Sequence, residues 1–347
     1  MATIGTTVLT LADWAKRQDD NGKTAVVVDL LSQTNQLMDD MLWMEGNQTS
    51  GHKTTIRTGL PTGTWRQLYQ GVQPTKSTTA QITEACGNIE TYSVVDKDIA
   101  DLNGNTADFR MSEDAAFLEG LTQQVAGAFI YSNALSTPAQ IMGLAPRYAT
   151  IQTANAATAT NVIDMGGTGS TNTSIWVIGW GPRSVAGIFP RGKITGLQHK
   201  DLGEVTEIVS DGSRYQVYRS HYKWECGLAV MDWRYVVRLC NIDVTTLGGG
   251  SPPNLINALV SAFHRMPTAP TGSRISTDPS RPSGPVGATN FANYCNRPVA
   301  SALDRQAMNK TNVLLSLDQW NGKPVTTFRG VPIRVVDQIL STEARIT

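Results

Sequence analysis

The chain has 347 residues, with 29 basic and 29 acidic side chains that cancel to no formal net charge, and only 17% of it is charged. That balance gives no electrostatic footprint for nucleic acid or an anionic membrane, which sets aside a reader of nucleic-acid sequence. The length exceeds one compact core and predicts two domains, or one domain with a large insertion. No run approaches the roughly 18 apolar residues of a membrane span. The opening MATIGTTVLT lacks the basic region and apolar core of a signal peptide, so synthesis in the cytosol is expected. Cys86, Cys226, Cys240 and Cys295 show no C-x-x-C spacing, which predicts reduced, buried thiols instead of a zinc site or a disulfide framework.

Residues 1–50 read as two amphipathic helices around a turn at Asp20, Asn21 and Gly22. Leu11 and Trp14 anchor the first; Val27, Leu31, Met38, Met41 and Leu42 stripe the second, which closes at Glu45, Gly46 and Asn47. From about 52 to 85 the chain turns rich in Thr and Gln and is broken by Pro61, Gly63, Gly71 and Pro74. Two strands joined through Gly59–Gly63 are predicted. An isolated hairpin is marginal in water, so this one needs a surface to lie on, and Leu60, Trp65, Leu68 and Tyr69 are the side chains to be covered. NIETYSVVDKDIADL predicts a strand running into a short helical turn.

The one long helical pattern follows and reaches Leu135. Ser112 is its expected N-cap, Glu113 and Asp114 suit its first turn, and Ala115, Leu118, Leu121, Val125 and Phe129 form its apolar stripe. Gly120 and Gly127 each cost about 1 kcal/mol relative to Ala and predict close approach of another backbone. Gly143 to Thr173 is polar and turn-rich, which predicts a surface excursion or a meander of short strands. SIWVIGW is a buried strand by composition, PRSVAGIFPRG a helical turn, and residues 212–242 an antiparallel pair of strands. Ser251 and Pro252 open a helix with Leu255, Leu259, Val260 and Phe263 on its face. Pro267–Gly287 is an expected exposed loop that tolerates insertions, residues 290–309 a helix, and the rest of the chain three strands.

No catalytic constellation emerges. His52, His199, His221 and His264 have no partner at metal-ligand spacing, and GWGPRSVAG lacks the second glycine of a nucleophile elbow at the right step. The clusters Gly166, Gly167, Gly169 and Gly248, Gly249, Gly250 lack the Lys and Ser or Thr of a phosphate loop. Tyr222, Trp224, Trp233 and Tyr235 alternate as packed strand residues do, in preference to a stacking platform for sugars. Catalytic, metal and cofactor sites are all expected to be absent.

The order of elements resembles the major capsid protein of tailed bacteriophages: a helical arm, a Thr-rich hairpin, a long helix, a mixed sheet, a large insertion and a final strand RGVPIRVVDQIL. The fold is the HK-ninety-seven type shared with herpesviruses, and the likeness covers essentially the whole chain, most of all to capsid proteins of short-tailed phages. It implies an α+β fold in which 1–50 is the N-terminal arm, 51–87 the E-loop, and 88–172 the peripheral domain around a spine helix at 112–135. Residues 173–287 are then the axial domain, and 288–347 a helix and strands returning to the peripheral domain. It further implies a virion protein made in the host cytoplasm that forms hexamers and pentamers of itself. These would close an icosahedral shell around double-stranded DNA without sequence-specific binding.

Implied partners are a portal protein, a cement or decoration protein and a scaffolding protein. The last is expected to be separate, because the chain starts almost directly with the arm where some members carry a cleaved scaffolding region. Intersubunit contacts are expected at Leu60, Trp65, Leu68, Tyr69 and Trp14. The family prototype cross-links an E-loop lysine to a neighbour's asparagine, a chemistry that neither Lys53 nor Lys76 can be matched to. The alternatives are another phage structural or adhesion protein, such as a tail component, and an unrecognised hydrolase.

Overall fold

The computed structural model describes residues 32–102, 104, 106–209, 211–249, 252–267, 290–308, 315–320 and 323–347. The first expected helix, with Leu11 and Trp14, and the Pro-rich stretch beyond Pro267 lie outside the described residues. Among the described residues of the second expected helix one turn is helical, α1 (Leu37–Asp40), before the chain extends into β1 (Trp43–Glu45); Val27 and Leu31 lie outside the described residues. Tertiary packing overrides the helical pattern here. Leu37 and Met41 are buried, and Trp43–Glu45 pairs in parallel with Gly187–Phe189. Asp40 meets Arg334 and the Tyr294 hydroxyl, each at 3.1 Å, yet burial still holds its carboxyl above the ordinary range.

β2 (Gly51–Gly59) and β3 (Thr78–Ala85) form the hairpin as a separate two-stranded sheet, but residues 60–77 join them instead of Gly59–Gly63 alone. β4 (Gly87–Asp96) and the one-turn α2 (Lys97–Asp101) follow as expected, the turn capped by the Asp96 carboxylate accepting from the Asp98 N–H at 2.9 Å. The long helix α3 spans Thr106–Tyr131, so it begins well before Ser112, whose hydroxyl donates back to the Phe109 carbonyl at 3.0 Å. Its buried residues include Phe109, Glu113, Leu121, Val125 and Phe129, whereas Ala115 is exposed and Leu118 only half-buried. These positions fit a four-residue repeat, which advances about 40° per step around a 3.6-residue helix. The stripe therefore winds along α3, as packing against a twisted sheet requires. Neither glycine meets another backbone: Gly120 faces open space and Gly127 the side chain of Gln338.

The segment from Gly143 to Thr173, read as a surface excursion or a meander of short strands, is packed down in part, while 152–155 and 168–171 stay exposed. It makes 3-10 turns at Ala145–Tyr148 and Ala157–Asn161 and a short strand β5 (Val162–Asp164). Side chains satisfy its backbone and that of its neighbours: the buried Tyr148 donates to the Trp233 carbonyl at 2.6 Å, and Asn161 Nδ2 to the Val236 carbonyl at 3.0 Å. β6 (Asn172–Trp180) is buried along its whole length. The expected helical turn after it is a strand, β7 (Val185–Phe189), entered by a tight turn in which the Ser184 hydroxyl donates to the Gly179 carbonyl at 2.8 Å.

β8 (Leu197–Ile208), unforeseen, hairpins with β9 (Arg214–Val230). β10 (Val236–Asp243) does not pair with β9, as expected from sequence, but with β5 and β6. Trp233 and Tyr235 sit in the 3-10 turn between β9 and β10. Helix α4 (Leu255–Arg265) is capped by Asn254, accepting from the Asn257 N–H at 3.2 Å; the expected cap Ser251 lies outside the described residues. The expected last helix is half strand, β11 (Asn290–Cys295), then α5 (Arg297–Met308); β12 (Leu315–Trp320), β13 (Lys323–Phe328) and β14 (Val331–Val335) follow as foreseen.

Among the described residues twelve strands join one sheet, β12-β13-β14-β11-β6-β7-β9-β4, with β1 beside β7, β8 beside β9, and β10 linking β5 to β6. β6 divides two cores. Trp176, Ile178 and Trp180 face the one beneath α3, while Ile175 and Val177 face the one built with α4 and α5. Burial on both faces is why β6 reads as a continuous apolar run. One buried ion pair fastens the C-terminal segment to the first core. Arg238 donates to Glu343 at 2.8 Å, to Ser174 at 3.0 Å and to the Tyr148 carbonyl at 3.0 Å, and stacks over Trp176.

Candidate intersubunit surface

The hairpin is built to be firm at one end and bare at the other. Its strands pair antiparallel from Gly51↔Ala85 to Gly59↔Thr78, with one irregularity between Arg57 and Gly59. At the base, a Cβ on Gly51 would lie 2.0 Å from the Glu84 carbonyl, so only glycine permits the chains to approach this closely. The Cys86 N–H donates to the Ser50 carbonyl at 2.9 Å, and Asn47 exchanges two 2.7 Å hydrogen bonds with the Lys53 backbone. Arg147 grips Glu84 through both guanidinium nitrogens at 2.6 Å, and its Nε donates to the Gly143 carbonyl at 3.1 Å. A two-pronged, half-buried pair of this kind fixes orientation as well as position. The base of the hairpin is thereby tied to the loop that follows α3.

Beyond the base the support ends. Every residue from 60 to 81 is exposed. The tip turns at Gln67–Gln70, closed by the Gln70 N–H on the Gln67 carbonyl at 3.2 Å, with Tyr69 at φ 68°, a left-handed conformation uncommon for residues other than glycine. Leu60, Trp65, Leu68 and Tyr69 stand at 77%, 102%, 83% and 104% exposure. These four sequence-predicted residues all lie in the 60–77 connection, and nothing in the described chain covers them. Val72, at 58%, belongs with them and was missed, although its place in the same apolar cluster was the available signal. Trp14 lies outside the described residues. The hairpin is also cationic: Lys53, Arg57, Arg66 and Lys76 face only one carboxylate, Glu84, which is already bound to Arg147.

Two of the four histidines considered for chemistry are occupied structurally. His221 stacks on Tyr92 and meets Glu90 at 3.2 Å, and His199 stacks on Tyr222. Gly167 packs on backbone, since a Cβ there would lie 2.6 Å from the Asn241 carbonyl. Burial pushes the Cys226, Cys240 and Cys295 thiols up to about 12 and Cys86 to about 11, and all four cysteines are free. Among the described residues no group of three or more His, Cys, Asp or Glu is placed to hold a metal ion, and no helix is long and apolar enough to cross a membrane.

A mixed α+β subunit with a bare-tipped hairpin and a long helix on its sheet invites comparison with shell proteins. Residues 19–347 match the family model of the major capsid protein GP7. The chain belongs to that family. It is similar, at 36% identity and a TM-score of 0.75 over 100% of both chains, to a protein of bacteriophage epsilon15 solved by cryo-electron microscopy. An encapsulin complex from Synechococcus elongatus matches at 14% identity and a TM-score of 0.42 over 68% of this chain and 98% of that one. The capsid of a native GTA particle matches at 10% and 0.43 over 63% and 94%. These two likenesses are too slight to carry argument. No curated protein matches. The protein is thus a bacteriophage major capsid protein with the HK-ninety-seven-type fold, a component of the virion shell, and its family is structural.

Proposed function

We propose that the subunit forms hexamers and pentamers that close an icosahedral shell around double-stranded DNA, with the 51–87 hairpin of each copy lying on a neighbour. The observation that supports this reading is the contrast between a hairpin base held by Arg147 and a tip whose large apolar side chains nothing in the described chain covers. Exposed apolar clusters of this kind mark interaction surfaces. In this reading residues 88–172, with α3 as the spine, are the peripheral domain, 173–287 the axial domain, and 288–347 the returning segment. The returning role is supported by Asp337, which accepts from the Thr34 N–H at 2.9 Å, and by Glu343 in the core beneath α3. DNA is enclosed without being read, in keeping with a chain of zero net charge. A separate scaffolding protein, a portal protein and a cement or decoration protein complete the particle, which assembles in the host cytoplasm.

The test is negative-stain microscopy of the purified subunit with and without the scaffolding partner. Closed shells built of hexamers and pentamers are expected. A chain that stays monomeric at every concentration and salt, with scaffold present, refutes the reading.

A further inference from the structure

We infer that the helix pair α4 and α5 is the face a subunit turns toward packaged duplex DNA, with its arginines on the phosphate backbone. This rests on the reading of the shell as enclosing DNA and names the surface that meets it. The chain is neutral as a whole, but its charge is unevenly divided. Residues 244–330 hold eight Lys and Arg against three acids, Asp278, Asp304 and Asp318, while residues 78–243 hold twelve against seventeen. The fold turns this division into two faces. α3, over the first core, carries Asp108, Glu113, Asp114 and Glu119, and its one cation, Arg110, is held by Asp201 at 2.7 Å. α4 and α5 cover the second core, on the other side of β6, and Asp304 is their only acid. A polyanion is drawn to such a face even where the net charge of the chain is zero.

The helices make one layer. Gln306, near the end of α5, donates to the Pro253 carbonyl at 2.7 Å and accepts from the Leu255 N–H at 3.1 Å at the start of α4. Each helix is about 17 Å long, and duplex DNA carries one charge about every 1.7 Å of its axis, so the layer lies beside roughly ten phosphates. The outward positions Asn257, Ser261 and Ser301 are short, which lets a duplex approach. Arg265 and Arg305 are exposed among them. Carbonyls aim both without neutralising either: those of Thr160 and Val162, at 2.7 and 2.9 Å, hold Arg265, and that of Leu247, at 3.4 Å, holds Arg305. Arg329 lies over the Phe328 ring, which packs edge-on against Phe263 of α4. Among the described residues none of these three arginines pairs with a carboxylate, whereas Arg297 is committed to Asp337. Charges and short polar groups of this kind grip the backbone and read no base, as enclosing DNA without sequence preference requires.

Anisotropy of a short fluorescein-labelled duplex, titrated with the full-length subunit between about 50 and 200 mM salt, reads the surface. Sequence-independent binding that weakens with salt is expected. Arg305→Gln with Arg329→Gln should weaken it about tenfold or more at the lower salt and cut the salt slope by about 2. Asp304→Asn should tighten it about twofold or more, and decides the matter if the double variant does not fold. Lys200→Gln with Arg214→Gln removes the same charge from the acidic part of the chain and should change little. Equal losses from both pairs, no loss from the helix pair, or a larger loss from Arg57→Gln with Lys76→Gln in the hairpin overturns the assignment. So does polyglutamate competing as well as duplex, which marks an acidic protein as the occupant. In DNA-filled particles, Ser301 replaced by the photo-cross-linker p-benzoylphenylalanine should attach to nucleotide on irradiation; attachment to protein alone overturns the inward face. A subunit that binds duplex in this way yet never forms shells refutes the shell reading and leaves the DNA contact standing.

Discussion

Replacing Trp65 by alanine separates subunit stability from assembly, because Trp65 is 102% exposed and has no contact to lose within its own chain. Substitutions at such positions change folding stability by less than about 0.5 kcal/mol, which for a chain of this size moves the melting temperature by about 2 °C at most. Covering the indole on a neighbour removes roughly 200 Å² from water, worth about 5 kcal/mol as a ceiling at about 25 cal/mol/Å². Alanine truncation of aromatic anchors commonly costs about 2–4 kcal/mol. In the proposed assembly each subunit donates one tip, so each loses one such contact. The subunit concentration needed for assembly should rise by about 30-fold or more, at about 1.4 kcal/mol per factor of ten. Circular dichroism melting of the unassembled subunit and sedimentation of assembly reactions over a concentration series read the two quantities. A fall of several degrees in the melting temperature, with the assembly threshold unchanged, would show that Trp65 packs in its own subunit and refute the reasoning.

Glu343→Ala strands the Arg238 guanidinium in a site where both side chains are 5% exposed, and should cost about 3–5 kcal/mol, read as a melting temperature lower by several degrees. Glu84→Ala should spare the cores but free the hairpin from Arg147, so amide exchange should quicken in Gly51–Gly59 and Thr78–Ala85 and not in β6. Burial keeps the four thiols protonated at pH 8, so native protein should resist iodoacetamide, denatured protein should titrate four thiols, and non-reducing electrophoresis should show no ladder. The hydrogen bonds from Arg297 depress Asp337 below its ordinary 3.8. Its contribution is therefore complete above that pH and is lost as the pH falls through the lower folded value, so Asp337→Asn should flatten the decline of melting temperature in acid.

What was legible in the sequence was local. β6 announces itself through an unbroken apolar run, and the hairpin through Thr-rich strands whose large apolar side chains are Ile56 and Ile82 alone, apart from those at the tip. What was illegible depends on partners distant in the chain. β8 carries Leu197, Leu202, Val205 and Ile208 without regular alternation, buries none of them, and is a strand because β9 pairs with it. β7 lies between Pro182 and Pro190, which suggested a turn, yet β9 and β1 flank it and hold it extended. The apolar spacing around Met38 and Met41 fits a helix, but burial against the sheet allows it a single turn. The residues lining the two clefts between α3 and β4 are unremarkable in sequence, because only the packing of α3 over β4 brings 87–91 beside 116–131.

The hairpin also has to solve a problem that the assembled shell does not. Both of its strands are edges, since β2 and β3 pair only with each other, and an exposed edge beside a bare aromatic tip is a template for indiscriminate association. Lys53 and Arg57 place positive charge along β2, and Arg66 and Lys76 place it on the connection at the tip, so two hairpins meeting in solution repel. The irregularity between Arg57 and Gly59 interrupts the ladder just before the tip, where a second hairpin would otherwise add in register. In the proposed docking the same charges are relieved, not opposed, because the hairpin meets the net-negative remainder of another subunit. One set of residues thus disfavours hairpin-on-hairpin aggregation and favours hairpin-on-body docking, which is the discrimination a shell needs while its subunits are still free.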